Sequence, residues 1–240
     1  MKKIRLGIFV EDETLAWHKF MPLKSLVDEG IVEVCIAIQR SAEHQPNPFR
    51  ISKIIPSINQ KLFSILSHAK KTTKRYSIHD LVPNGKMPVV TSIPRQDKSN
   101  DEIEDSVIKS LQATDLDYLL SMDFQTLIGK ALGVTKHGIL LLHYGDERIQ
   151  RGGPALYWQF AEQWENSVVT LQLLSNDHDV HKVVGRGYGS LFYWDYNLTE
   201  DKLKGVAASI LYWYFRKNKI GVESGDFINL IRDCIELRKH

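Results

Sequence analysis

The strongest constraint on the fold comes at the start of the chain, where two apolar segments flank a helical pattern. Ile4-Arg5-Leu6-Gly7-Ile8-Phe9-Val10 reads as a buried strand, and Ile31 to Ile38, rich in β-branched residues, reads as a second. Between them Glu11-Asp12-Glu13 and Thr14 offer a helix start, Leu15, Phe20, Leu23 and Leu26 fall near helical spacing, and Gly30 supplies the stop. Strand, helix and strand in that order make a βαβ unit, which requires a parallel pair.

The rest of the chain continues the alternation. Met87 to Ile93 is a third strand candidate, Ser99 to Leu111 spells a surface helix, and Asp115 to Ser121 is a strand entered by two carboxylates. A short helix from Phe124 to Leu132 leads into Ile139-Leu140-Leu141-Leu142-His143, whose continuous apolar run fits a central strand covered on both faces. Pro154 begins a helix through Gln163, Val168 to Leu174 is a strand, and Val183-Val184 is the core of another. Residues 58 to 68, 199 to 217 and 222 to 238 have helical spacing. The pattern predicts an α/β fold, Rossmann-like, with a mostly parallel sheet and helices on both faces.

Composition narrows the functional classes. The chain has 240 residues with 31 Lys+Arg against 29 Asp+Glu, so net charge gives no reason to expect nucleic acid or an anionic membrane as partner. No apolar run approaches the roughly 20 residues of a membrane span, so no membrane insertion is expected. Cys35 and Cys234 cannot make a disulfide framework, and the first residues lack a signal-peptide pattern, which together predict a cytoplasmic protein. Lys70 to Arg75 reads as a solvated helix end.

Chemistry concentrates after the strand that ends in His143. The stretch His143-Tyr144-Gly145-Asp146-Glu147-Arg148-Ile149-Gln150-Arg151-Gly152-Gly153-Pro154 holds an imidazole, two carboxylates, two guanidinium groups and three glycines just before a helix start. In open α/β sheets ligands bind beyond the C-terminal ends of the strands, so this is a candidate site; spacing alone also allows a polar loop with a helix cap.

Asp115-Leu116-Asp117, the strand from Gly138 to His143, Arg151-Gly152-Gly153-Pro154, Val169-Thr170-Leu171-Gln172 and Asp179 occur in one order. That order resembles the formyltransferase family, which includes methionyl-tRNA formyltransferase and glycinamide ribonucleotide formyltransferase. His-x-Gly-Asp followed by Arg-Gly-Gly-Pro resembles a divergent bacterial branch of it. The close match covers about 70 residues. The resemblance implies a formyltransferase-like α/β domain over residues 1–198, with a C-terminal helical extension, 199–240, packed on it.

The resemblance also implies a chemistry. A substrate amine attacks the formyl carbon of 10-formyltetrahydrofolate through a tetrahedral oxyanion. His143 falls on the family histidine, an oxyanion donor, and Asp179 on the family aspartate, which moves protons and orients the histidine. Asp146, Arg151, Gly152, Gly153 and Gln172 become substrate- or cofactor-binding candidates. Leu141 stands where the family has an oxyanion-binding Asn, Gln172 where it has a second-strand His, and His181 where it has a Gly. The implied acceptor is an amine on a small molecule, with a nucleotide-linked sugar as one candidate, and a homo-oligomer is compatible. Two alternatives stay open: a fold member that binds without turnover, which Leu141 supports, or a hydrolase of formyl or amide bonds.

Other motifs carry less. Asp177, His178, Asp179 and His181 could be read as metal ligands, but no cysteine lies nearby and no metal is expected. Gly185-Arg186-Gly187-Tyr188-Gly189 lacks the context of a dinucleotide fingerprint and reads as a turn between strands. Tyr193, Trp194, Tyr196 and Tyr212 to Phe215 read as core packing or a partner surface.

Overall fold

Alternation of apolar side chains along the strands builds two hydrophobic layers around one sheet. The computed structural model describes residues 2–41, 74–97, 100–122, 126–145, 156–175 and 182–220. Its strands are β1 (Ile4–Val10), β2 (Thr14–Ala16), β3 (Val32–Arg40), β4 (Arg75–Ser77), β5 (Val89–Ser92), β6 (Arg95–Asp97), β7 (Asn100–Glu102), β8 (Tyr118–Ser121), β9 (Thr126–Ile128), β10 (Gly138–Tyr144), β11 (Asn166–Leu174) and β12 (Lys182–Ser190). Its α-helices are α1 (Trp17–Asp28), α2 (Asp105–Gln112), α3 (Tyr157–Ala161) and α4 (Tyr196–Ile220).

Seven strands form the main sheet in the order β12-β11-β10-β8-β1-β3-β5. The pairs β1/β3, β3/β5, β1/β8 and β8/β10 are parallel, while β10/β11 and β11/β12 are antiparallel. The chain lays β3 and β5 on one side of β1 and then returns to lay β8 and β10 on the other. The strand order therefore reverses between β1 and β8, where open α/β sheets form their binding crevice. The expected Rossmann-like, mostly parallel sheet is what the structure contains.

On one face Leu6, Ile8 and Val10 of β1 pack with Phe20, Leu23 and Leu26 of α1 and with Leu211 and Phe215 of α4. On the other, Phe9, Ile38, Leu119 and Ile139 pack with Val107, Ile108 and Leu111 of α2 and with Ala131 of the 3-10 turn Gly129–Gly133. In β10, Leu140 and Leu142 face the α1/α4 layer and Ile139 and Leu141 the α2 layer, so the strand is covered on both faces as expected.

The boundaries differ from expectation in four places, each with a local cause. The acids after β1 do not cap α1: Asp12 Oδ1 accepts from the Thr14 amide at 2.7 Å and from Thr14 Oγ1 at 2.6 Å, and Arg75 closes on the same carboxylate at 2.9 and 3.0 Å. That turn sends Thr14–Ala16 into pairing with β4, and α1 begins at Trp17. The expected helix from Ser99 is split, because the Glu104 carboxylate accepts from Ser92 Oγ and the Ile93 amide, both at 2.8 Å, and fixes extended backbone before α2. Thr126–Ile128 pairs in parallel with β7 rather than forming a helix, and Gly129, at φ +71°, turns the chain into the 3-10 segment.

The fourth correction concerns the glycine-rich segment expected as a turn. It lies within β12, and its glycines alternate with Arg186 and Tyr188. A Cβ at Gly185 would lie 2.7 Å from Ile210 Cγ2, one at Gly187 2.5 Å from Val206 Cγ1, and one at Gly189 2.7 Å from Leu203 Cδ2. Three missing side chains thus make the groove that lets α4 lie on the antiparallel end of the sheet. Helix α4 crosses the expected boundary at 198/199 without a break and buries Leu203, Ala207, Leu211 and Phe215. The helices expected at 58–68 and 222–238 lie outside the described residues.

Asp115 and Asp117 tie down the N-terminal end of β8. Asp117 Oδ2 accepts from the Arg5 amide at 2.8 Å, and Lys136 Nζ bridges Asp115 at 2.8 Å and Asp117 at 3.1 Å. Burial works against a charged Asp117, but the Arg5 amide and the Lys136 ammonium outweigh it and hold the carboxyl below its ordinary range. This motif sits at the edge of the sheet opposite His143, so its work is structural.

Candidate functional site at the C-terminal edge of the sheet

Strand register assembles the site. Leu141 and His143 are two residues apart on β10 and so share a face. Leu141 is aligned with Ser121 of β8 on one side and with Gln172 of β11 on the other. Ser121 is aligned in turn with Phe9 of β1. One step nearer the strand ends, His143 stands opposite Thr170 and Thr170 opposite Arg186. Aligned residues on neighbouring strands project to the same side of a sheet. The α2 face of the C-terminal edge therefore carries two rows: Phe9, Ser121, Leu141, Gln172, and then His143, Thr170, Arg186.

These rows are largely sequestered from water. Ser121, Thr170 and Gln172 are buried, and Leu141 and His143 are half-buried. Gln172 Nε2 donates to Thr170 Oγ1 at 3.3 Å, which fixes the amide on the His143 side of β11. A buried amide held this way keeps its remaining donor and acceptor in the same low-dielectric layer. Leu141 puts hydrocarbon between the Ser121 hydroxyl and the Gln172 amide.

Backbone geometry sets what lies beside the imidazole. Gly145, just past β10, has φ +152°, and a Cβ there would lie 3.2 Å from His143 Nε2. Glycine adopts this conformation and lets the buried backbone at 145 pass close to the ring. At the neighbouring switch point Lys19 of α1 donates to the Met122 carbonyl at 2.8 Å, just past the end of β8. A cation is thereby held where β1 and β8 diverge.

Of the sequence candidates, the structure brings His143 and Gln172 onto one face of adjacent strands. Asp146, Arg151, Gly152, Gly153 and Asp179 lie outside the described residues. Sequence reading missed Ser121, Lys19 and Arg186. A register argument needs the strand pairing, and the helical and strand patterns alone do not give it. Among the described residues no three His, Cys, Asp or Glu side chains come together as a metal-binding group, and no helix is long and apolar enough to cross a membrane. A shallow hollow bounded by Lys3, Val32, Glu33, Leu81 and Pro83 lies at the opposite edge and holds none of this chemistry.

No protein-family model matches the chain, and no curated protein matches it. Solved structures do. A glycinamide ribonucleotide transformylase 1 from Symbiobacterium toebii superposes with TM-score 0.60 at 12% identity, over 93% of this chain and 92% of that one. The corresponding enzyme from Geobacillus kaustophilus gives TM-score 0.59 at 13% identity, over 91% of this chain and 100% of its own. A formyltetrahydrofolate deformylase from Pseudomonas putida KT2440 gives 0.55 at 12%, over 89% of this chain and 64% of its own, so this chain spans just under two thirds of that protein. The chain therefore has the fold of the formyltransferase family, as its sequence motifs implied.

Proposed function

We propose that the chain is a one-carbon enzyme that moves a formyl group at the C-terminal edge of β8, β10 and β11. The observation that carries this reading is the placement of His143. It lies at the C-terminal end of the central strand β10, close against Gly145 and in register with buried Thr170, in a fold shared with proteins named for formyl transfer and formyl removal.

In this reading a substrate amine adds to the formyl carbon of 10-formyltetrahydrofolate in the cytoplasm. The carbonyl π bond becomes an alkoxide, which His143 stabilises by hydrogen bonding. Asp179 accepts the proton the amine releases and passes it to the folate nitrogen, which leaves as a neutral amine when the intermediate collapses. Gln172 adds an amide donor from the facing strand. The acceptor is a small-molecule amine, with a nucleotide-linked sugar as the leading candidate, and the chemistry calls for no metal.

The likeness to a formyltetrahydrofolate deformylase supports hydrolysis as a second reading. Water would then replace the amine and formate would be the product. In either reading the family's Asn is absent beside His143, and losing one oxyanion donor costs roughly a hundred- to a thousandfold in rate, which favours a protein that only binds. One experiment separates the two: incubation with 10-formyltetrahydrofolate carrying a ¹³C formyl group, with and without amine acceptors, followed by mass spectrometry and formate detection. Transfer to an acceptor supports the first reading, and formate without acceptor the second. Either activity should fall at least a hundredfold in His143→Ala and in Asp179→Asn, with the fold retained. No turnover in either format leaves a binding protein and overturns both.

A further inference from the structure

The outer strand of the sheet adds a charged group to the His143 face. Gly185, Gly187 and Gly189 of β12 point at α4, so Arg186 and Tyr188 between them point to the opposite face. That is the face of His143, because Leu142 and Tyr144 pack on the α4 side. The register places Arg186 in one row with the imidazole: His143 opposite Thr170, and Thr170 opposite Arg186. At about 4.8 Å between neighbouring strands, the two outer α-carbons stand roughly 10 Å apart.

The residues around this row sharpen the assignment. Thr170 between the two is fully buried and uncharged. Tyr188, 61% exposed, follows Arg186 on the same face and stands opposite buried Val168. Among the described residues of β10, β11 and β12, Arg186 is the one Lys or Arg on this face. Its mount is rigid, since β12 is clamped between β11 and α4 with no room for a side chain on the helix side.

We propose that Arg186 is the anion-anchoring residue of this site. Its guanidinium holds a carboxylate or phosphate oxygen pair of the bound small molecule about two strand widths from the carbon that reacts at His143. Tyr188 offers a ring face to the adjoining part of the ligand. The planar fork of arginine matches two oxygens of such a group at once, which fixes orientation as well as position. A contact remote from the reacting atoms, borne on paired strands, is how a site converts binding energy into alignment. The inference rests on the reading of His143 as the reacting end, and it restricts the substrate to molecules with an oxyanion at that distance.

The test is calorimetric titration of the full chain with 5-formyltetrahydrofolate, which carries carboxylates, and separately with inorganic phosphate. Wild type, Arg186→Gln and Arg186→Lys are compared, each checked by thermal unfolding. Arg186→Gln is expected to raise Kd at least tenfold for one of the two probes. The probe affected identifies carboxylate or phosphate as the group held. Arg186→Lys should recover part of the loss, because it keeps the charge but not the fork; if Arg186→Gln does not fold, the lysine variant is read alone and should still bind several-fold more weakly. Equal Kd values in wild type and variants overturn the proposal, as does failure of wild type to bind either probe. Formyl turnover that persists with unchanged KM in Arg186→Gln but is lost in His143→Ala refutes Arg186 alone. Arginine-dependent phosphate binding without formyl turnover refutes the formyl reading alone.

Discussion

Replacing Gly187 by Ala tests the packing of α4 on β12 through the sign of its effect. In a strand interior glycine is disfavoured against alanine by about 0.5–1 kcal/mol, so an unobstructed position would be stabilised by the change. Here the new Cβ would lie 2.5 Å from Val206 Cγ1 and 2.9 Å from Ile210 Cδ1, closer than carbon atoms approach without something moving. Overpacking of this kind costs about 1–3 kcal/mol, so the expected net effect is a destabilisation of about 1–2 kcal/mol. Urea unfolding followed by circular dichroism should show the midpoint falling by roughly half a molar with m unchanged. Val206→Ala removes the nearer obstacle at a cost of about 1 kcal/mol. The double variant should then be more stable than the sum of the single effects by at least about 1 kcal/mol. A Gly187→Ala protein as stable as wild type, or additivity in the cycle, would refute the argument that these glycines exist to admit the helix.

Three further outcomes are expected. Burial, reinforced by the Lys19 and Lys204 cations, pulls the His18 imidazole down to about 3, so the unfolded chain binds more protons between pH 6.5 and 3. Stability should therefore be full above pH 6.5 and decline as pH falls through that window, by up to about 4–5 kcal/mol, and His18→Phe should flatten the decline in melts run across pH. Glu104→Ala removes the acceptor that joins Ser92 Oγ and the Ile93 amide to the start of α2, and should cost about 1.5–3 kcal/mol in chemical unfolding, with Glu104→Gln recovering part. Gly145→Ala should lower both stability and turnover, because the backbone there has φ +152° and the new Cβ would sit 3.2 Å from His143 Nε2; thermal unfolding and the ¹³C-formyl assay read the two effects.

What could be read before the structure followed the physical reach of each signal. The strands β1, β3, β8, β10 and β11 were legible because each is a continuous or β-branched apolar run that one layer of helices cannot leave exposed. Helix α4 was legible from its helical spacing. The start of α1 was misplaced because Asp12 satisfies Thr14 and Arg75 instead of capping a helix, and nothing local in Glu11-Asp12-Glu13-Thr14 separates those uses. Gly185 to Gly189 was read as a turn because glycine marks turns far more often than it marks a groove for a helix 20 residues further on. In the site, His143 and Gln172 were reached through motif order, and the structure places both on one face. Arg186 was passed over because its relation to His143 exists only through two antiparallel registers. The registers of β8, β10 and β11 likewise show that Leu141 lies between Ser121 and Gln172, two polar side chains whose proximity no spacing in the chain expresses.

The central claim is that the formyl group is handled at His143, and the most direct measurement follows the histidine rings by NMR during titration with 5-formyltetrahydrofolate. Nine histidines are present, and His143→Gln assigns the resonance of interest by its disappearance. The expected result is a saturable shift of the His143 ring signals, with those of His18 inside the α1 layer and His79 at its Glu13 partner unmoved. Saturable binding that leaves His143 unshifted, or no binding at millimolar ligand, would contradict the account.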